Sequence, residues 1–286
     1  MALIDKLKLE LQGNNGLVKK LKDSTLPFPE PELMIQRTQS EFENQYSSPE
    51  DPIIKRWPDK ALSKLLLLEF ETYKKLQEEW LDNFWKHAKD ALIVHEWDYP
   101  VLRSILLSED ENRSNLTSKQ LLIGVILGQT MSQSGRTRAG YSLMEHISWL
   151  LRKNGFELDT HFKREEQVDS VKLDFIFPNA SYFRKEPNST VTCAAMTTMN
   201  DRYRLALQQL REGTFQRILT GIGSQNYGKA LGPSSLTKAK LEEVKKKGAK
   251  VVVLANIRDQ LEPEDPVMTY KEWFEELNKL KPFWSG

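Results

Sequence analysis

Between residues 59 and 92 the apolar positions Leu62, Leu65, Leu66, Phe70, Tyr73, Leu76, Trp80, Leu81 and Phe84 recur at intervals of three and four. That spacing lays one apolar stripe along a helix. Trp80, Phe84 and Trp85 fit the buried side of such a helix better than a cofactor box, because large aromatics are usually core. Ahead of it, residues 26–60 hold Pro27, Pro29, Pro31, Pro49, Pro52 and Pro58 among polar side chains. Proline interrupts helices, so this stretch predicts an irregular arm with a helix on either side. Polar residues 114–117 are placed to cap a helix over 118–128. Leu143, Ile147, Leu150 and Leu151 continue a helical pattern that should stop at Asn154-Gly155, a good C-terminal pair.

Past that point the period shortens. Apolar runs of strand length fall at 173–177, 191–195, 217–222 and 250–255, with helical stretches at 201–211 and 236–246 between them. The second half of the chain therefore reads as α/β and the first as mostly helical. The expected division is a helical N-terminal region, 1–110, carrying the proline-rich arm, and a domain over 111–286. No internal repeat is visible.

Composition narrows the function classes. With 286 residues, 39% hydrophobic and 28% charged, the chain has enough apolar material for one or two folded domains. Forty-one basic residues against 40 acidic ones leave a net charge of +1, so an anionic partner must be met by a local patch. A lone cysteine, Cys193, excludes an intrachain disulfide and a cysteine zinc cage, and suits a reducing cytoplasm. The apolar stretches at 65–68 and 121–127 fall short of the roughly 20 residues of a membrane span, and no secretory signal is seen. His87, His95, His146 and His161 show no metal spacing, and the glycine-rich stretch 221–228 lacks the Gly-Lys-Ser/Thr of a P-loop, so a plain loop after a strand is expected there.

Three segments carry candidate chemistry. Asp174 interrupts the apolar run Lys172-Leu173-Asp174-Phe175-Ile176-Phe177-Pro178, and a carboxylate in a strand needs a metal, a base or solvent. The strand ending Met196-Thr197-Thr198 runs at once into Asn200-Asp201-Arg202-Tyr203-Arg204, where a helix start and two arginines suit phosphates or bases. Upstream, Ser132-Gln133-Ser134-Gly135-Arg136-Thr137-Arg138 combines hydroxyls and arginines beside glycine and leads into the segment carrying Glu145. Each alone reads equally well as solvated surface.

Taken in order, the segments Arg-Thr-Arg-Ala-Gly-Tyr-Ser-Leu-Met-Glu-His, Lys-Leu-Asp-Phe-Ile-Phe-Pro-Asn-Ala and Thr-Thr-Met-Asn-Asp-Arg-Tyr-Arg resemble the catalytic domain of EcoRII-type restriction endonucleases. These form a branch of the PD-(D/E)XK nucleases whose members read CCGG, CCNGG or CCWGG. The resemblance spans about residues 115–280. It implies a mixed central sheet flanked by helices, and Mg²⁺-dependent cleavage of double-stranded DNA at a palindromic site with a CC…GG core. The protein would act as a homodimer or as paired dimers in a prokaryotic cytoplasm. Asp174 and Glu145 match the metal-binding carboxylates.

Two positions depart from the pattern. The family lysine at the end of the second strand is Met196 here, and the third acidic position is Gln209. A thioether supplies neither charge nor proton, so the chain as written should be severely impaired in cleavage. A Lys-to-Met replacement made to hold DNA uncut is favoured by the family-like surroundings. The alternative is a naturally inactive, sequence-specific DNA-binding protein on the same scaffold. By the same resemblance Asp201 and Arg202 would read a C·G pair with Asn200 beside them. Arg136, Arg138 and Arg204 would touch phosphates, and Gln133 or Gln129 would reach the minor groove. Arg56 and Trp57 would stack on an extruded base.

Overall fold

The computed structural model describes residues 2–12, 14–24, 30–46, 53–95, 97–107, 113–200, 203–226, 229–230 and 233–284. Its helical part comprises α1 (Leu3–Leu11), α2 (Leu17–Asp23), α3 (Pro31–Tyr46), α4 (Ile53–Arg56), α5 (Pro58–Val94), α6 (Pro100–Leu106) and α7 (Arg113–Lys153). Strands β1 (Lys163–Val168) and β2 (Val171–Phe177), helix α8 (Ala180–Lys185), strand β3 (Val191–Met196) and helix α9 (Tyr203–Gln209) follow. The chain continues through β4 (Phe215–Thr220), the short pair β5 (Gln225–Asn226) and β6 (Lys229–Ala230), α10 (Lys238–Lys246), β7 (Ala249–Val253), α11 (Ala255–Arg258), β8 (Val267–Thr269) and α12 (Tyr270–Leu280). The chain forms two compact units: residues 1–33 with 71–138, and residues 34–70 with 139–286.

Among the described residues, the regular elements of the first unit are all helices. Leu7, Leu11, Leu17, Leu21, Trp80, Phe84, Leu92, Leu102, Ile123 and Leu127 are buried together in its core. Trp80 and Phe84 are therefore packing residues, as their helical spacing requires.

The second unit holds a six-stranded mixed sheet in the order β1-β2-β3-β4-β7-β8. β1 and β2 form an antiparallel hairpin, β2 is antiparallel to β3, and β3, β4, β7 and β8 run parallel. Alternating residues of β3 feed two cores. Val191 and Cys193 pack with Phe175, Phe177, Ile147, Leu151, Tyr270 and Trp273, whereas Ala194 joins Leu207, Ile218, Leu241 and Val251. Helices thus cover both faces, which is why the strands read as continuous apolar runs. The expected mixed sheet flanked by helices is present, and the strands at 173–177, 191–195, 217–222 and 250–255 lie within a few residues of β2, β3, β4 and β7. The hairpin partner β1, Lys-Arg-Glu-Glu-Gln-Val, escaped notice because its exposed face is charged.

The expectation of an irregular arm over 26–60 is corrected. Pro31 and Pro58 are the first residues of α3 and α5. A proline at the first helical position loses no hydrogen bond and presets the backbone angle, so it starts a helix there instead of breaking one. Residues 25–29 and 47–52 lie outside the described residues. The helices expected separately at 118–128 and after Gly140 are one helix, α7. It ends where expected: Gly155 takes φ +83°, a left-handed turn that a side chain would strain.

Long-range hydrogen bonds fix the second unit. Asp59, at the start of α5, accepts from the backbone N–H groups of Tyr270 (3.0 Å) and Lys271 (2.9 Å) and so caps α12. Burial pushes its carboxyl above the ordinary carboxylate range, and these helix N–H donors moderate the rise. Glu69 accepts from the Ser142 hydroxyl and pairs with His146 Nε2 at 2.7 Å, joining α5 to α7 inside the core.

Candidate nucleic-acid interface

Asp174 lies on β2, half-buried, and its Oδ2 accepts the backbone N–H of Ala195 at 2.6 Å. This bond ties the carboxylate to the end of β3, one residue before Met196. Met196 is half-buried, pairs with Thr220 across the sheet and packs against the core beneath α9 and α10. β2 and β3 thus bring Asp174 to the strand end where the resemblance expects a lysine.

Glu145, near the C-terminal end of α7, is held by Arg164 of β1, with Oε1 to Nη2 at 2.5 Å and both side chains mostly covered. Arg164 Nε is buried without a hydrogen-bond partner. Sequence reasoning missed Arg164, because it becomes Glu145's neighbour only through the β1–β2 hairpin.

The turn from β3 into α9 is anchored from below. Met199 is fully buried, its N–H donates to Ser235 Oγ at 3.1 Å, and Lys240 donates through its ammonium to the Met199 carbonyl. Neither Ser235 nor Lys240 was legible as a site residue, since one lies just before α10 and the other in its first turn, far along the chain from Met199. Asn200 is exposed at this turn, and Asp201 and Arg202 lie outside the described residues. Arg204, on α9, is engaged: its guanidinium donates to Glu243 Oε1 at 3.1 Å and to the Tyr203 hydroxyl at 3.2 Å. The Arg204 bond, together with the Tyr203 hydroxyl that donates to Glu243 Oε2 at 2.8 Å, holds the Glu243 carboxyl below its ordinary range. Gln209 is half-buried at the C-terminal end of α9.

Trp57, also in the second unit, is 39% exposed. Cations crowd its indole: Lys60 Nζ at 4.7 Å, and Arg56 and Lys271 both at 5.6 Å from the ring centroid. In the first unit, Arg138 lies over the Tyr73 ring at 5.0 Å, and Gln129 is exposed on α7. The side chains of Gln133 and Arg136 fall outside the described residues.

The family model for the EcoRII C-terminal domain matches residues 122–268, just over half of the chain. The chain belongs to the EcoRII C-terminal family. Metal-depleted Ecl18kI in complex with uncleaved, modified DNA has a similar fold, with a TM-score of 0.69 and 13% identity over 100% of this chain and 87% of that one. The complex of the restriction endonuclease PspGI with substrate DNA gives a TM-score of 0.58 and 13% identity over 93% and 97% of the two chains. Compared by sequence with curated proteins, the chain finds no match. The matched stretch of this EcoRII-type chain includes Glu145, Asp174, Met196 and Gln209, and its fold is that of the PD-(D/E)XK restriction endonucleases.

Enzymes of this fold work with a divalent metal, and the residues present can be tested for fit. Among the described residues no three His, Cys, Asp or Glu side chains converge on one point. Glu145 is already matched with a guanidinium, Gln209 brings no charge, and Met196 brings neither charge nor proton. Mg²⁺ takes hard oxygen ligands and gains most from unneutralised carboxylates. This donor set does not fit a catalytic Mg²⁺ centre.

Proposed function

We propose that this EcoRII-type chain binds double-stranded DNA as a homodimer on a palindromic site with a CC…GG core, of the CCGG or CCNGG kind, and holds it without cutting. The observation that carries the reading is Met196 at the end of β3, inside a stretch that belongs to the family. Duplex DNA as partner is supported by Ecl18kI and PspGI, both of which have this fold and are bound to DNA. Base reading is assigned to Asn200, Asp201 and Arg202, which follow Met196 closely in the sequence. Asp201 accepts from cytosine N4, and Arg202 donates to guanine O6 and N7. Arg204, Arg136 and Arg138 neutralise phosphates, Gln133 approaches the minor groove, and Arg56 with Trp57 offers a platform for an extruded base. Among the described residues no helix is long and apolar enough to cross a membrane. The family resemblance, and not that absence, is the ground on which we assign the protein to a prokaryotic cytoplasm.

Two origins of the inactive centre compete: a single Lys-to-Met replacement in a Mg²⁺-dependent endonuclease, or natural loss of cleavage in a DNA-binding protein. Gln209 favours the second, because one replacement aimed at the lysine leaves the separate acidic position on α9 untouched. Cleavage assays with Mg²⁺ on duplexes containing CCGG, CCNGG or random sequence separate them. Cutting regained by Met196→Lys alone identifies an impaired enzyme, whereas cutting that needs Met196→Lys with Gln209→Glu identifies a scaffold that lost its chemistry in more than one step. Binding of the unaltered chain that is equal on cognate and random duplexes refutes the site-specific reading.

A further inference from the structure

Helix α10 carries four lysines, and three of them, Lys238, Lys245 and Lys246, are exposed. The fourth, Lys240, is half-buried and reaches the segment that follows β3. Its ammonium donates to the Met199 carbonyl and, at 3.1 Å, to the Ser235 carbonyl, and it lies 5.3 Å from the centroid of the Tyr203 ring. An ammonium has three donors. Two are committed to carbonyls while the charge rests against an aromatic ring, an arrangement that grips backbone and not phosphate.

Met199 is held in three ways. Its side chain is buried with Tyr203, Leu236 and Leu241, its N–H donates to Ser235 Oγ at 3.1 Å, and its carbonyl accepts from Lys240. The next residue, Asn200, is exposed, and its carbonyl accepts the Tyr203 N–H at 3.2 Å. Tyr203 is fixed in its turn: its ring is buried, and its hydroxyl donates to Glu243 Oε2 at 2.8 Å, one turn of α10 beyond Lys240. Asp201 and Arg202 therefore stand in the sequence between two residues that are both tied to α10, and Lys240 touches both of those residues.

We propose that Lys240, assisted by Ser235, is a positioning residue for sequence recognition: it fixes the backbone at Met199 and the ring of Tyr203, and so sets in advance the frame from which the segment between them meets base edges. The proposal rests on the reading of 200–202 as the base-reading segment. Base-edge hydrogen bonds demand placement within about 0.5 Å, which a segment held at both ends by one rigid helix achieves before DNA arrives. Phosphate contacts carry no sequence information, so a random duplex is bound without that frame. A frame that must be ordered at the moment of binding weakens recognition of the cognate site and leaves non-specific binding as it was.

Competition binding of the full chain to a CC…GG duplex and to a random duplex, over a range of salt concentrations and without metal, tests this. Lys240→Met keeps the length of the side chain and removes its donors. It is expected to weaken cognate binding about 10- to 100-fold, the worth of one hydrogen bond to a charged group. Binding to the random duplex should stay within about twofold, with an unchanged salt slope. Lys240→Arg can still donate to two carbonyls and should keep most of the preference, a rescue that a general loss of stability would not show. Without DNA, the Met199 and Tyr203 amides should exchange at least about 10-fold faster in Lys240→Met, while the Val251 amide of β7 keeps its rate. If Lys240→Met does not fold, Ser235→Ala, which removes only an acceptor, carries the same test with a smaller loss of preference. Parallel losses on both duplexes with a salt slope shallower by about one make Lys240 a phosphate contact and overturn the proposal. A preference relaxed by Arg202→Ala but kept in Lys240→Met and Ser235→Ala also overturns it, and leaves the base reading standing. An unaltered chain that binds both duplexes alike removes the base reading, and the role of Lys240 in recognition falls with it.

Discussion

Removing the Glu69 side chain is a severe test of how the second unit is held together. Glu69, Ser142 and His146 are 4%, 2% and 0% exposed, and Glu69 joins the other two, while Gln39 Nε2 approaches His146 Nδ1 at 3.4 Å. Glu69→Ala strands a buried hydroxyl and a buried imidazole nitrogen without their shared protein partner. Each unsatisfied group costs about 1–3 kcal/mol, and breaking a buried acid–base pair from one side costs about 3–5 kcal/mol in all. For a chain of this size each kcal/mol lowers the melting temperature by about 2–4 °C, so a fall of about 6–20 °C is expected. Glu69→Gln keeps an acceptor oxygen and a polar amide in place, and should cost about 1–2 kcal/mol. Near-UV circular dichroism during urea unfolding of the three proteins reads these differences. A loss under 1 kcal/mol in Glu69→Ala, or equal losses in the two variants, would refute the claim that the network carries this energy. Because α7 also bears Glu145 beside His146, cognate DNA affinity should fall with stability in Glu69→Ala and be kept in Glu69→Gln.

Chelation with EDTA should leave the affinity of the unaltered chain for DNA within about twofold in gel shifts, because its donor set does not fit a catalytic Mg²⁺; a steep loss would show that a metal is held after all. Arg202→Ala should cost roughly 1–3 kcal/mol per half-site on a cognate duplex and much less on a random one at the same salt, whereas equal losses would make Arg202 a phosphate contact. Asp59 has its folded carboxyl raised above the ordinary 3.8 by burial, so the folded chain holds that proton more tightly than the unfolded one. Its contribution is fully present below about pH 3.8 and is lost as pH rises through the folded value. Urea midpoints across this window should therefore fall with rising pH more in the unaltered protein than in Asp59→Asn, and parallel curves would count against the assignment.

The local pattern of the sequence determined most of the secondary structure and the identity of the candidate site. Strands buried on two faces must be nearly all apolar, so β2, β3, β4 and β7 could be read directly, and Asp174 stood out against that background. The order of the three motif segments was equally local, which is why Met196 and Gln209 could be recognised as departures before any geometry was known. Contacts between distant segments were decided by tertiary structure. Arg164 neutralises Glu145 because a hairpin brings β1 beside β2 near α7, and nothing in Lys-Arg-Glu-Glu-Gln-Val announces that neighbour. Asp59 caps α12 from far along the chain, and Glu69 meets His146 across two helices. Proline, too, has two meanings that local sequence does not separate: it stops a helix from inside and begins one at its first residue, as Pro31 and Pro58 do. The division into units is likewise a property of packing. Along α5, Leu62 and Leu65 serve one core and Trp80 and Phe84 another, although a single uninterrupted apolar stripe encodes them all.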